Sequence, residues 1–225
     1  MPANPRKAVR QLLHKREEKE FLRRASNEEI FSRIYQLNKW GDEDTRSGKG
    51  SNLSRTIELR KQLPLLVQRF DIRTLLDIPC GDFYWMKETR LELDAYIGAD
   101  IVDSLVENNV RKFSTIKQQF RKLNLLNDKL PTADALLCRE CLVHFSFRDI
   151  DQAIENIMQS NCGLLLTTSF PDIKHNEDIL TGKHRPLNFR QPPFNWPTPK
   201  AELVESYCNR RGRKILAVWN IADLS

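Results

Sequence analysis

The sequence of 225 residues has no long hydrophobic run. A transmembrane helix needs roughly 20 consecutive apolar residues, no stretch approaches that length, and the N-terminus lacks the apolar core of a signal peptide. A basic start can also mark a transit peptide, but such peptides are poor in acidic residues, and Glu17, Glu18 and Glu20 occur here. We therefore expect one α/β domain with an extra segment, without a membrane span, in the cytoplasm.

Cysteine is scarce as well. The five cysteines are an odd number spread through apparent strands and helices, which is not the pattern of a disulfide framework and favours a reducing compartment. Cys138 and Cys141 form a Cys-x-x-Cys pair, but no second pair accompanies it, and His175 and His184 are too scattered to add ligands. We predict no metal site.

The positive charge is concentrated at the start of the chain. Residues 1–25 contain eight lysines and arginines against three glutamates, so they hold +5 of the net charge of +6. This predicts a basic N-terminal arm over 1–25, followed by a single domain over 26–225. A solvated, partly disordered tail is the simpler interpretation; attraction to nucleic acid or an anionic membrane is the other.

Short strand-like and helix-like segments alternate along the domain and predict a doubly wound, parallel α/β sheet. The last two apolar segments flank "NRRGR" and predict an antiparallel C-terminal hairpin. Residues 26–70 are interpreted as a helical cap and residues 171–199 as an insert on the substrate side. Predicted strands cover 74–78, 95–100, 120–126, 133–140, 163–170, 202–208 and 214–221; predicted helices cover 28–37, a segment from about 52–54, 83–91, 104–113 and 147–160.

Polar residues follow three successive strands, at the edge where open α/β sheets bind ligands. Gly81 lets backbone approach a ligand, and a helix starting behind it would favour a negative group. Asp100 can accept hydrogen bonds from both hydroxyls of a ribose, and the amide of Asn124 can donate and accept near an adenine edge. Asp77 and Asp100 can alternatively just end strands and cap helices, but together these positions favour a nucleoside site. The candidate cofactor residues here are Asp77, Pro79, Cys80, Gly81, Asp100, Ile101, Asn124 and Leu125.

The segments "LLDIPCGDF", "YIGADI", "LPTADALLCRECLVHF" and "GLLLTTSF" resemble motifs I, II, IV and V of the class I S-adenosylmethionine-dependent methyltransferases, including uncharacterised bacterial members. The resemblance covers roughly residues 70–170. It implies a Rossmann-like, seven-stranded sheet and S-adenosylmethionine as cofactor, with the methionine end at the Asp77–Gly81 turn. The family commonly has Asp-x-Gly-Cys-Gly-x-Gly in its first motif, and here Pro79 and Phe83 replace the outer glycines.

The resemblance also implies that the residues after the fourth strand face the transferring methyl group. His144 titrates near neutrality and can take a proton from an acceptor hydroxyl; a packed or capping histidine is the alternative. Glu140 can bind the methionine amino group or pair with a neighbouring arginine, and Arg139 is a further cofactor candidate. Trp40 belongs to the glycine-rich segment 39–52, which is either a lid over the cofactor or a linker.

The predicted acceptor is a small molecule or a glycan, methylated on a hydroxyl. Arginines and aromatic residues of the insert can form an acceptor wall suited to sugars or phosphorylated groups, or can only cover the sheet edge. A nicotinamide-dependent oxidoreductase, which normally needs Gly-x-Gly-x-x-Gly, and an inactive adaptor are the competing classes. Nucleic acid is an unlikely partner, because no Asn/Asp-Pro-Pro-Tyr/Phe motif follows the fourth strand. The wall candidates are Arg185, Asn188, Arg190, Phe194 and Trp196.

Overall fold

The computed structural model describes residues 5–208 and 212–224. The first four residues of the predicted arm and residues 209–211 of the hairpin turn therefore lie outside the described residues. The helices are α1 (Pro5–Arg24), α2 (Asn27–Gln36), α3 (Ile57–Arg69), α4 (Asp103–Phe113) and α5 (Phe147–Met158), and the strands are β1 (Thr74–Asp77), β2 (Ala95–Asp100), β3 (Gln118–Lys122), β4 (Ala135–Cys138), β5 (Leu164–Ser169), β6 (Ala201–Cys208) and β7 (Gly212–Asn220).

The seven strands form one sheet in the order β3-β2-β1-β4-β5-β7-β6. The first five pair in parallel, whereas β7 lies antiparallel between β5 and β6. Buried apolar side chains cover both faces, as expected for a sheet with parallel strands. The predicted α/β sheet with an antiparallel terminal hairpin is confirmed. Among the described residues, no helix is long and apolar enough to cross a membrane.

Local signals set the start of α2. Ser26 caps the helix by accepting from the Glu29 backbone, and the Glu29 side chain accepts in return from the Ser26 backbone. This reciprocal capping box satisfies backbone donors that the first turn leaves unpaired. Ile30 and Ile34, one turn apart, then bury the same face.

The helix predicted over 83–91 is wrong. The chain makes turns there, with a single 3-10 turn at Met86–Glu88. Phe83 adopts a positive φ of 59°, which an α-helix does not allow. Its ring packs against Tyr96 and Phe120, with centroids 5.3 and 5.1 Å away. Because the aromatic side chains bend this segment into the core, no α-helix N-terminus follows β1 to attract an anion.

Part of the basic arm packs onto the domain. Within α1, Leu22 is buried and packs with α2 residues. Glu18 pairs with Lys39 at 3.1 Å and with Lys183 at 3.3 Å. The interpretation as a solvated tail is therefore wrong for the last two turns of this helix. In α3, Leu59 is buried whereas Ile57 is exposed.

Candidate active site

One cavity of about 990 Å³ lies at the carboxyl ends of β1, β2 and β4. Helices α1 and α2 and the segment after α2 form its opposite wall. This volume is at the upper end of the range for ligand pockets, so the cavity has room for a cofactor and an acceptor. All the candidates named from the strand ends line it, and so do those from the neighbouring loops: Trp40, Asp77, Pro79, Cys80, Gly81, Asp100, Ile101, Asn124, Leu125, Arg139, Glu140 and His144.

Asp100 ends β2 with its carboxylate turned back towards the β1 turn. Its Oδ2 accepts from the Gly81 backbone at 3.2 Å and its Oδ1 from the Val102 backbone at 3.0 Å. Burial raises the Asp100 pKa to about 6, against the opposing effect of these bonds. A carboxylate has about four acceptor positions, so Asp100 retains capacity for ligand hydroxyls while it also holds the turn.

Asp77 ends β1 and is almost completely buried. Its Oδ2 accepts from the Tyr96 hydroxyl at 2.6 Å. Burial raises the Asp77 pKa to about 7, while Tyr96 and Arg139 act to lower it.

The segment 42–52 is docked on the β1 turn through one carboxylate. Asp82 accepts from the Thr45 hydroxyl, from the Arg46 backbone at 2.9 Å and from the Ser47 hydroxyl at 2.9 Å. Gly81 has a φ of 57°, and a Cβ at this position would collide with Ser47 Oγ. The close backbone approach expected of Gly81 is therefore made to Ser47 of this segment, which folds over the cavity rather than linking elements loosely.

Asn124 follows β3 and uses part of its amide locally. Its Oδ1 accepts from the Leu126 backbone at 3.0 Å. The amide oxygen of Asn124, which was expected to accept from an adenine, is therefore already bonded. Its amide N–H groups remain able to donate to a ligand. Leu125 and Ile101 contribute apolar surface beside it.

Four charged side chains form a buried group at the β4 end of the cavity. Arg139 donates to both carboxylate oxygens of Glu205, at 3.0 and 2.7 Å, and to the Gly50 carbonyl at 2.8 Å. Lys214 pairs with Glu205 at 2.9 Å and also with Glu140. These cations lower the Glu140 pKa to about 2, against the effect of burial. Arg139 therefore joins the segment 42–52 to the β6–β7 hairpin, and it also lines the cavity.

Sequence reasoning missed Glu205 and Lys214. Glu205 lies where β6 shifts register against β7, between Val204 and Ser206, and such a bulge redirects a side chain without a local sequence signature. Lys214 opens the apolar run of β7, where it resembles an ordinary strand-end lysine.

His144 follows β4 in a 3-10 turn, and its ring contacts Trp40 and His184, with centroids 5.3 and 5.2 Å away. Its Nδ1 lies 2.8 Å from the Lys183 carbonyl. A carbonyl oxygen only accepts, so Nδ1 carries the proton and the neutral ring keeps a lone pair on Nε2. Burial lowers the His144 pKa, which favours this neutral form.

The acceptor wall predicted from the insert is not part of the cavity. Trp196 stacks on Phe189 with centroids 4.2 Å apart, and Phe194 packs beside them. Asn188 donates to two carbonyls of its own loop, Arg185 to the Leu142 and Glu177 carbonyls, and Arg190 is exposed. These side chains hold the insert against the sheet; its residues that do line the cavity are Gly182, Lys183 and His184.

Among the described residues, no group of three or more His, Cys, Asp or Glu side chains is placed to hold a metal ion. Cys138 and Cys141 are buried, free thiols beside the cavity floor.

No protein-family model and no curated protein matches the sequence. Among solved structures, the chain is similar to the N-methyltransferase NodS from Bradyrhizobium japonicum WM9 in complex with S-adenosylhomocysteine, at 13% identity over 83% of this chain and 97% of that chain, with a TM-score of 0.60. It is similar to magnesium protoporphyrin IX methyltransferase from Synechocystis PCC 6803 with bound S-adenosylhomocysteine, at 10% identity over 87% and 99% of the two chains, with a TM-score of 0.59. It is also similar to the methyltransferase domain of bacterial CtHen1, at 11% identity over 75% and 98%, with a TM-score of 0.56. The chain therefore has the fold of the class I S-adenosylmethionine-dependent methyltransferases.

Proposed function

We propose that the protein is an S-adenosylmethionine-dependent methyltransferase that acts on a hydroxyl group of a small molecule or glycan. The observation that carries this proposal is the position of Asp100. It presents a buried carboxylate at the end of β2, beside the turn that ends in Gly81, in a large cavity that His144 also lines. Similar structures hold S-adenosylmethionine or its demethylated product.

The residues present fit this cofactor. Asp100 would accept from the ribose hydroxyls, and Asn124 would donate to the adenine, with Ile101 and Leu125 beside it. Asp77, Pro79, Cys80 and Gly81 would hold the methionine end together with Glu140 and Arg139, while Trp40 lies against His144. The cofactor supplies, when bound, a methyl group on a positively charged sulfur.

His144 is proposed as the base. Its Nδ1–H is held by the Lys183 carbonyl, so Nε2 is the atom that accepts the hydroxyl proton as the acceptor oxygen gains the methyl group. The lowered pKa keeps this nitrogen unprotonated at neutral pH. Trp40 fixes the ring plane by packing against it, and alignment of this kind contributes more to such displacements than the base itself.

The competing oxidoreductase function is less well supported by the β1 turn. Dinucleotide sites bring several glycines to a pyrophosphate, whereas Gly81 is the one glycine here and Ser47 occupies the space beside it. We also infer a cytoplasmic location, because the odd number of scattered cysteines in the sequence does not form a disulfide framework.

Calorimetric titration of the full chain with S-adenosylhomocysteine and with NAD tests the proposal. We expect saturable binding of the first ligand and weak or no binding of the second. Incubation with S-adenosylmethionine and pools of hydroxylated metabolites should then yield a product heavier by one methyl group. A preference for NAD, or no response to S-adenosylhomocysteine at millimolar concentration, would refute the assignment.

A further inference from the structure

The charges that line the cavity do not balance. Eight lysines and arginines and five aspartates and glutamates contribute to its wall, a net charge of +3 when both strand-end aspartates are ionised. The buried group of Arg139, Glu205, Lys214 and Glu140 is neutral as a unit. The negative charge of Glu18 offsets the charge of only one of its two partners, Lys39 and Lys183. One unit of the excess is therefore the second of these lysines, and the other two come from four further cations set against Asp77 and Asp100.

Four lining cations have no carboxylate in ion-pair contact among the described residues: Arg33, Arg46, Lys49 and Arg55. Two of these have other packing contacts. Arg33 lies 4.3 Å from the centre of the Phe21 ring, and Arg46 lies over Tyr35 and donates to its carbonyl at 3.4 Å. Lys49 and Arg55 remain. Lys49 lowers the Asp42 pKa, but Asp42 accepts from backbone and Asn52 donors and forms no ion pair with it.

Lys49 lies at the methyl-transfer end of the cavity. It opens the 3-10 turn Lys49–Ser51, in which Gly50 accepts from Arg139. A Cβ at Gly50 would lie 3.2 Å from Glu140 Oε1. This turn therefore lies against Glu140, and Arg55, which also lines the cavity, follows four residues after the turn.

The cofactor adds to the imbalance. S-adenosylmethionine carries a sulfonium and an ammonium against one carboxylate, so its binding raises the positive charge further. Lys49 and Arg55 are exposed, so their charges stay hydrated, but a cleft lined by an excess of one sign of charge attracts ligands of the opposite sign. An anionic acceptor is therefore favoured over a neutral one, and a phosphate offsets more charge than a carboxylate.

We propose that the methyl acceptor is a phosphorylated small molecule, whose phosphate is held by Lys49 and Arg55 while its hydroxyl faces His144. This inference rests on the proposed function. It narrows the acceptor from hydroxyl compounds in general to those that carry a phosphate, for which arginine and lysine are the usual partners.

The test uses the full chain saturated with S-adenosylhomocysteine and titrated with inorganic phosphate and with a hexose phosphate, at constant ionic strength set by sodium chloride. We expect saturable binding of both probes, tighter for the hexose phosphate. The double variant Lys49→Gln/Arg55→Gln should weaken both at least about tenfold, the effect of losing charge-assisted hydrogen bonds, with S-adenosylhomocysteine affinity unchanged. The matched control Lys61→Gln/Arg111→Gln removes two cations that do not line the cavity and should change neither affinity.

Three results would overturn the inference. If the wild type does not bind phosphate, or if the double variant and the control variant bind it equally well, the proposed phosphate site does not exist. Weaker S-adenosylhomocysteine binding in the double variant, with phosphate unaffected, assigns these cations to the cofactor carboxylate. Tighter binding of a single-stranded RNA oligonucleotide than of the hexose phosphate excludes a small-molecule acceptor. Failure of the wild type to bind S-adenosylhomocysteine, by contrast, would contradict the proposed function itself.

Discussion

Asp100 illustrates how one side chain serves both the fold and the proposed chemistry. The sequence suggested two competing roles, a strand-end cap and a ribose ligand. In the structure its carboxylate bonds the Gly81 and Val102 backbones while it lines the cavity. Replacement by alanine would therefore disturb the turn as well as any ligand contact, so asparagine is the informative substitution.

Asp100→Asn should weaken S-adenosylhomocysteine binding by roughly ten- to a hundredfold, since hydrogen bonds to a charged group contribute about 1.5–3 kcal/mol. The melting temperature without ligand should fall moderately, because the amide keeps one acceptor oxygen and leaves either the Gly81 or the Val102 N–H without its bond. Calorimetry and thermal unfolding measure the two effects. Asp103→Asn, on the exposed start of α4, is the control. A large loss of stability with normal affinity would leave Asp100 a structural role only.

His144→Gln tests the proposed base. Glutamine can still donate to the Lys183 carbonyl but cannot accept a proton, so kcat should fall by about 10²-fold or more with cofactor affinity preserved. In the wild type, kcat should decline with acidity only below the ordinary histidine range, because burial lowers the His144 pKa. His175→Gln, exposed and outside the cavity, should behave as wild type. Unchanged turnover in His144→Gln would make this ring a packing group.

Among the elements, the segment 42–52 is attached to the domain through a small set of hydrogen bonds. It has little secondary structure, and its contacts to the β1 turn converge on the Asp82 carboxylate. The segment also accepts from Arg139 through the Gly50 carbonyl. Because these attachments are a few hydrogen bonds, their release lets the segment open without disturbing the sheet, which is what entry of a cofactor into a covered cavity requires.

Asp82→Ala should release this lid. Loss of bonds to a charged acceptor costs about 1.5–3 kcal/mol each, so amide hydrogen exchange over residues 45–51 should accelerate at least about tenfold. S-adenosylhomocysteine should also dissociate faster. Asp94→Ala, at an exposed position outside the cavity, should leave exchange in this segment unchanged. If the segment exchanges as slowly in Asp82→Ala as in the wild type, other contacts hold it.

Helix α1 allows a graded deletion. Removal of residues 1–12 takes away three of the eight basic residues of the arm but leaves Glu18 and Leu22, so stability and ligand affinity should persist. Removal of 1–25 exposes the surface that Leu22 covers, and it should lower the free energy of unfolding by about 1.5–3 kcal/mol. Urea titration of the two truncated chains measures this difference. Equal stability of both would show that the whole arm is dispensable, as the sequence predicted.

For the molecule as a whole, patterns that repeat along the chain predicted the sheet and the cavity-lining strand ends. Contacts between distant segments were not predictable. Glu205 and Arg139 are 66 residues apart, and a bulge redirects Glu205. Trp196 was predicted to contact the acceptor but packs in the core. Composition alone does not indicate whether an aromatic ring contacts a ligand or the core. The helix expected at 83–91 failed because aromatic packing overrode local propensity.

The strand-end carboxyl groups should make ligand binding pH-dependent. The pKa values of Asp77 and Asp100 are about 7 and about 6 in the folded chain, above the ordinary 3.8. Each group therefore holds a proton more readily when folded, and its contribution to stability declines as pH rises from about 4 to about 7. A ligand that donates to Asp100 favours the ionised form.

We therefore expect S-adenosylhomocysteine affinity to increase between pH 5 and pH 7 by up to about tenfold per unit below the Asp100 pKa. Calorimetry across this range in wild type and in Asp100→Asn measures the effect, since the variant should show a flatter profile. A profile as steep in the variant would assign the dependence to another group.

The position of β7 between β5 and β6 makes the order of synthesis matter. Arg139 and Glu140 are translated long before Lys214, and β5 has no partner on that side until β7 arrives. When β6 has left the ribosome but β7 has not, one edge of β5 is unpaired. Glu140 also lacks its partner Lys214 at that stage, so its charge is not compensated. A product that stops before residue 212 cannot assemble the cavity wall, and it exposes the features that chaperones and proteases recognise.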